Sequence, residues 1–336
     1  MNESARFGIE ALAVVALTWA LPWVGMSMLV PSLAESPLAQ RTNFHGRNVF
    51  VGLGAVWIFW VAGMVVLRWS GQLAGHALSV LTALGAISPL VITALLFGLL
   101  DDAYGSAGDR GFRGHLKALS HGRLTTGAFK LVGIGLVSVA AGTSIAGGAS
   151  GVQAQTGGLA ALGAWPSLVP AAAWTLALAA VIALSANLVN LLDLRPGRAL
   201  KGFGVYALAL VIGALVSRAA TPAATVLLAL ALFGPLVAIW RFDLGERGML
   251  GDAGANAAGA LLGFVAAWEC GRSWAALVVL ALLLAFNLAS ERWSFSRVIA
   301  DNRLLSVLDG LGRLPQEAPG EENSAKTSPL RESSDG

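Results

Sequence analysis

Residues 168–193 read LVPAAAWTLALAAVIALSANLVNLLD, an apolar run interrupted near its end by Asn187 and Asn190 and closed by Asp193. A helix needs about 20 apolar residues to cross a hydrocarbon core, and this run reaches that length before its first charge. It also lacks the apolar-polar alternation of a barrel strand. Similar runs recur along the chain, at residues 9–30, 49–67, 78–100, 127–147, 202–216, 222–240, 255–268 and 274–288. With 56% hydrophobic residues, 12% charged residues and a mean hydropathy of +0.71, the composition suits a chain whose backbone bonds to itself within lipid. The expected fold is therefore all-α, a polytopic transmembrane helical bundle of about nine spans. Because the runs at 202–216 and 255–268 are short, eight or ten spans would also fit. The first run is flanked by Glu3, Arg6 and Glu10, without a strongly basic start or a small-residue cleavage site, so it is expected to be a retained anchor.

Charge sets the expected orientation. All 22 Lys and Arg residues except Arg6, Arg68, Arg218 and Arg272 follow odd-numbered runs. Short basic loops stay in the cytoplasm, which places the N-terminus outside and the C-terminus inside. All nine aspartates then fall on the cytoplasmic face: Asp101, Asp102, Asp109, Asp193, Asp243, Asp252, Asp301, Asp309 and Asp335. The net charge of +3 reads as topology and contact with anionic headgroups, with no sign of nucleic acid. Cys270 is the only cysteine, near the outer face, so neither an internal disulfide nor a cysteine-rich metal site is available.

The bundle is expected to occupy residues 1–290. Residues 140–163, rich in Gly, Ala, Ser, Thr and Gln, read as a flexible outer loop. Beyond the last span, Trp293, Phe295, Val298, Ile299, Leu305 and Leu308 recur at roughly helical spacing, which predicts an interfacial amphipathic helix over 291–313. Residues 314–336 turn to Pro, Glu, Ser and Gly and are expected to be disordered.

Three cytoplasmic segments carry chemistry. Asp101 and Asp102 end the third run; adjacent acids repel, so a divalent metal or a proton-transfer role explains them, against the plainer reading of two polar residues ending a helix. Asn187, Asn190 and Asp193 recur at intervals of three and share a helical stripe. Such polar groups within a span either line a cavity or bond neighbouring helices together. The third segment, residues 245–256 with Leu250-Gly251-Asp252-Ala253-Gly254 at its centre, leads into a glycine-bearing span; a helix start there favours phosphate, while Asp252 can hold its magnesium or simply cap the helix.

In this order the three segments resemble the polyprenyl-phosphate N-acetylhexosamine-1-phosphate transferases, the glycosyltransferase 4 family that includes phospho-N-acetylmuramoyl-pentapeptide transferase. The resemblance covers about residues 97–264 and marks a divergent member. It implies a phospho-sugar transferase of the cell membrane that moves a sugar-1-phosphate from a UDP-sugar to polyprenyl phosphate, releasing UMP, with Mg2+, in cell-envelope glycan synthesis. By motif, Asp101 and Asp102 would be the catalytic acid pair near the lipid phosphate. Asp252 and Asp102 would bind the metal, while Lys130, Asn187, Asn190 and Asp193 would bind substrate; a homodimer is left open.

The chain departs from the family pattern in two places. The family continues its stripe as D-G-x-D-G, whereas Asp193 is followed by Leu194-Arg195-Pro196-Gly197. No histidine-rich loop follows the ninth run; the histidines are His45, His76, His115 and His121. Residues 43–47 occupy the place of the family's first glycine-rich cytoplasmic loop. Two other classes stay in view: a catalytically silent relative that binds polyprenyl phosphate or an envelope-assembly partner, and a transporter. Inverted repeats, which a transporter would favour, are not visible.

Overall fold

The computed structural model describes residues 2–69, 84–105, 111–147, 170–217 and 220–314, and these are mostly helical. Among the described residues six helices are long and apolar enough to cross a membrane: α1 (Glu3–Glu35), α5 (Thr126–Ala146), α6 (Ala171–Leu192), α7 (Arg198–Ser217), α8 (Pro222–Leu244) and α10 (Trp274–Arg292). The chain is thus an all-α multi-pass membrane protein by length and composition. Between these lie α2 (Val56–Trp69), α3 (Ser88–Tyr104), α4 (Gly111–Ser120) and α9 (Gly251–Cys270), and after them α11 (Phe295–Asp301) and α12 (Arg303–Gly310).

Helix α9 is the post around which the others stand. It packs most extensively against α6 and α3, and every residue from Ala253 to Ala267 is buried. Small residues at intervals of four make this approach possible. A Cβ on Gly263 would lie 2.7 Å from Ile182 Cα, and one on Gly254 would lie 2.8 Å from Gly54 Cα, so α6 and the turn Leu53–Ala55 before α2 touch α9 backbone to backbone. Large apolar side chains such as Leu136, Leu208, Ile212, Leu282 and Phe286 point outward instead, where lipid would cover them.

Helix α8 contains Pro235, whose ring nitrogen has no hydrogen to donate to the Ala231 carbonyl four residues back. The freed carbonyl accepts from the buried Trp60 Nε1 at 2.8 Å. The neighbouring Leu230 carbonyl accepts from Trp19 Nε1 at 2.6 Å. Trp19 lies in a π-helical turn of α1, Ala16–Ala20, and Gly234 lets that turn press against α8. A break in one helix is therefore met by a bulge in another, and tryptophan side chains satisfy the groups left over.

The structure differs from the sequence reading in several places. Residues 48–51 belong to a strand, not to the second span: β1 (Gln40–Thr42) and β2 (Asn48–Val51) form a hairpin, and β2 pairs in parallel with β3 (Gly248–Met249). Val49 and Phe50 are apolar because they pack under this small sheet. The runs at 202–216 and 255–268 are each 20 residues long as helices, because α7 begins at Arg198 and α9 at Gly251. Residues 140–146 are helical, since Gly142 lets α5 close onto Thr175 and Ala179 of α6. The expected single interfacial helix is two, because Asn302 breaks it and its side chain caps Leu305 N at 3.1 Å. Residues 78–83 of the third span, 148–163 of the outer loop and 315–336 of the tail lie outside the described residues.

Candidate active site at one end of the bundle

The start of α9 is held by an acid from another helix. Asp102, near the end of α3, accepts from Asp252 N at 3.0 Å through Oδ1 and from Ala253 N at 2.9 Å through Oδ2. A helix leaves its first N–H groups without partners, and a carboxylate answers both the hydrogen bonds and the helix dipole. Gly251, with φ of +72°, makes the approach possible: a Cβ there would lie 2.8 Å from Asp102 Oδ2. Asp102 thus acts first as a positioning group, fixing where Asp252 stands.

Asp101 points to the same place. Its Oδ2 accepts from Lys130 Nζ of α5 at 2.6 Å, and it also bonds to Thr126. Lys130 Nζ bonds Asp252 Oδ2 as well, so one ammonium bridges carboxylates from α3 and α9. Three residues separated by as many as 151 positions share one charge network. Lys130 is buried to its head group, whereas a third of the Asp252 side chain stays accessible, at 33% exposure. The network is open on the Asp252 side.

Asp193, just past the end of α6, faces the same centre. Burial pushes its carboxyl well above the usual carboxylate range, and the negative charges of Asp243, Asp252 and Asp102 push further, against a hydrogen bond from the Gly251 N–H. Asp243 accepts from Gly197 N at 2.8 Å, which pins the turn following Asp193 against α8. Beside these acids lies a small pocket, partly open to solvent. Its wall includes Asn43, Phe44, Asp193, Arg195, Asp243 and Glu246.

The hairpin forms the other side of that pocket. Asn43 Oδ1 accepts from His45 N and Arg47 N, both at 2.9 Å, which shapes a turn completed by Gly46 at φ of +77°. Glu246 receives Asn43 Nδ2 at 2.7 Å and meets His45 Nδ1 at 2.8 Å. Burial would raise the Glu246 carboxyl, but His45, Asn43 and Arg47 together hold it below its ordinary value. The hairpin loop is thereby clamped to the residues that lead into Asp252.

The structure therefore brings Asp101, Asp102, Lys130, Asp193 and Asp252 to one end of the bundle. Asn187 takes the bundle-bonding alternative: its Nδ2 donates to Asn287 Oδ1 of α10 at 2.6 Å. Asn190 is half-buried in the last turn of α6, with its carbonyl accepting from Asp193 N at 3.1 Å. His121 bonds the Lys117 carbonyl of its own helix at 2.7 Å and is exposed, whereas His76 and the His115 side chain lie outside the described residues. Sequence reasoning put Asp243 and Asp309 on this face with the other aspartates but gave neither them nor Glu246 a part in the site. Their only signal was that each follows an odd-numbered run.

The donor set suits a hard cation. Among the described residues no three His, Cys, Asp or Glu groups converge as a ready-made metal cage. Magnesium needs none, because it keeps several waters and uses one or two carboxylates together with substrate phosphate. Asp101 and Asp252 already share a cation, the Lys130 ammonium, and the acids around it outnumber it. Comparison of the chain with models of known protein families and with curated proteins finds no match.

Proposed function

We propose that this end of the bundle transfers a sugar-1-phosphate, an N-acetylhexosamine-1-phosphate in the family's pattern, from a UDP-sugar to polyprenyl phosphate. In this reading α2, α3 and α9 join the six long helices as nine spans of the cytoplasmic membrane, with the N-terminus outside. The acid end then faces the cytoplasm, as the basic residues suggest. The observation that carries the proposal is the Lys130 bridge between Asp101 and Asp252, with Asp102 fixing the helix that bears Asp252.

The reaction joins two phosphate groups. An oxygen of the lipid phosphate bonds to the sugar-bearing phosphorus of the donor, and the bridging pyrophosphate oxygen leaves with UMP. Several negative charges meet, so the rate depends on positioning and on cations aimed at the departing phosphate. Lys130 supplies one such charge. Asp101, which accepts from Lys130 Nζ at 2.6 Å, would take a proton from the lipid phosphate. Asp252 would hold magnesium, which supplies further neutralisation of the diphosphate, whereas both oxygens of Asp102, the other expected ligand, are engaged by N–H groups of α9. Asp193 and the adjoining pocket are where the nucleotide portion would lie, and the membrane brings the lipid tail to the same interface.

The test is a donor screen with purified full-length protein, magnesium and undecaprenyl phosphate, scored by UMP release. Turnover of a UDP-sugar that Asp252→Ala abolishes is expected. If no UDP-sugar is consumed while a control transferase works in the same preparation, the reading fails. A second reading, a silent relative that binds polyprenyl phosphate, is favoured by Pro196 in place of an acid and by full engagement of both Asp102 oxygens. It predicts lipid binding without UMP release.

A further inference from the structure

The turn from Arg195 to Arg198 gathers positive charge that the acid network does not use. Arg198, only 4% exposed, forks onto Asp309: Nε donates to Oδ1 at 2.9 Å and Nη2 to Oδ2 at 2.8 Å. Arg313 adds a third bond to Oδ1 at 2.7 Å, while its Nε donates to the Pro196 carbonyl at 2.7 Å. Lys201 Nζ donates to the carbonyls of Leu308 at 3.2 Å and Asp309 at 2.6 Å. Arg195 completes the group. Its guanidinium lies 3.9 Å from the Phe44 ring centroid, and its Nε is buried with no hydrogen-bond partner among the described residues. Burial, followed by the positive charges of Arg198 and Arg313, pulls the Arg195 pKa down.

Two arginines therefore grip one carboxylate, with Lys201 on the adjoining carbonyls and Arg195 close by in sequence, and the next acid, Asp243, is engaged by Gly197 N. The positive-inside rule explains why these residues lie on this side of the membrane. It does not explain why two arginines close on the same carboxylate, nor why that carboxylate is delivered there from 111 residues away. An oxyanion held by a guanidinium fork and a second arginine is the arrangement with which proteins grip phosphate.

We propose that Arg195, Arg198, Lys201 and Arg313 form a binding site for a phosphate ester or pyrophosphate, and that Asp309 is its internal occupant, displaced when the phosphate arrives. Displacement would loosen α12 and free Arg313 from Pro196, which lines the pocket beside Asp193. The site uses none of the acids assigned to transfer, but Arg195 also lines the pocket assigned there to the nucleotide, so the two readings adjoin, and the response to Asp309→Asn tells them apart. The phosphate can come from a soluble compound or from a lipid headgroup, since α12 also exposes Leu304, Val307 and Leu308.

The test uses full-length protein in nanodiscs, titrated calorimetrically with inorganic pyrophosphate and no nucleotide sugar. In discs of phosphatidylcholine alone, binding is expected. Asp309→Asn, which removes the competing charge, should tighten it about tenfold, and Arg195→Ala and Arg313→Ala should each weaken it about tenfold. Thermal unfolding of each variant checks that it is folded. In discs containing phosphatidylglycerol, an undiminished affinity marks a soluble ligand, whereas a reduced one marks a lipid headgroup already in place. No binding by wild type or Asp309→Asn in phosphatidylcholine discs would overturn the proposal, as would binding indifferent to Asp309→Asn and Arg195→Ala.

Discussion

Replacing Lys130 by Met keeps the length of the side chain and removes its charge, leaving Asp101 and Asp252 facing each other with no shared cation. Breaking a buried ion pair from one side costs about 3–5 kcal/mol, because an uncompensated charge remains. Here the side chains of Lys130, Asp101 and Asp252 are 10%, 17% and 33% exposed, so water screens one arm and the lower end of that range applies, about 3 kcal/mol. At roughly 2–4 °C per kcal/mol, unfolding in nanodiscs should occur about 6–12 °C lower. Asp101→Asn added to Lys130→Met should recover about 1–2 kcal/mol, since the two residues are in contact and their effects should couple. Magnesium should raise the unfolding temperature of Lys130→Met more than that of wild type, because the stranded carboxylates would take the ion. Unchanged melting in Lys130→Met, or strictly additive effects in the double variant, would refute a shared-cation network.

Two further outcomes follow from the same geometry. Asp102→Ala removes the acceptor of two backbone N–H groups at the start of α9, and a cap of this kind is worth about 1–2 kcal/mol. Thermal unfolding should show that loss, with Asp102→Asn intermediate. The Asp309 carboxyl is held below its ordinary value of 3.8: burial raises it, but the hydrogen bonds and charges of Arg198 and Arg313 outweigh burial. A carboxylate with a depressed folded-state pKa stabilises above its unfolded pKa and loses that contribution as pH falls through the folded one. Attachment of α12, followed by a fluorescent label at Leu311, should therefore loosen only below about pH 4, the ordinary carboxylate value. With Lys201 and Arg313 remaining cationic throughout, Asp309→Asn should abolish the acid dependence.

Much of the bundle was legible because its signal is local. Run length reveals a span, and the side on which Lys and Arg fall predicts that Asp101, Asp193 and Asp252 share one end. The hairpin was not legible: Val49 and Phe50 abut the apolar start of α2, so a buried strand and a span read as a single run. The stripe of Asn187, Asn190 and Asp193 was ambiguous for a physical reason, since an amide within a bundle serves a neighbour or a cavity equally well. Asn187 went to Asn287, and Asp193 to the acids. The Arg198 and Asp309 fork could not be read at all, because nothing local announces a partner 111 residues distant.

The near-complete enclosure of α9 has a consequence for how the molecule could be altered. Asp252 rides on a column whose backbone abuts its neighbours, so it has little freedom to travel, and under the proposed transfer the substrate would come to it. Adjustment is left to the hairpin and to the clip at Asp309, both of which sit outside the column. An engineer could exchange either appendage to retarget the mouth while the anvil beneath stays where it is.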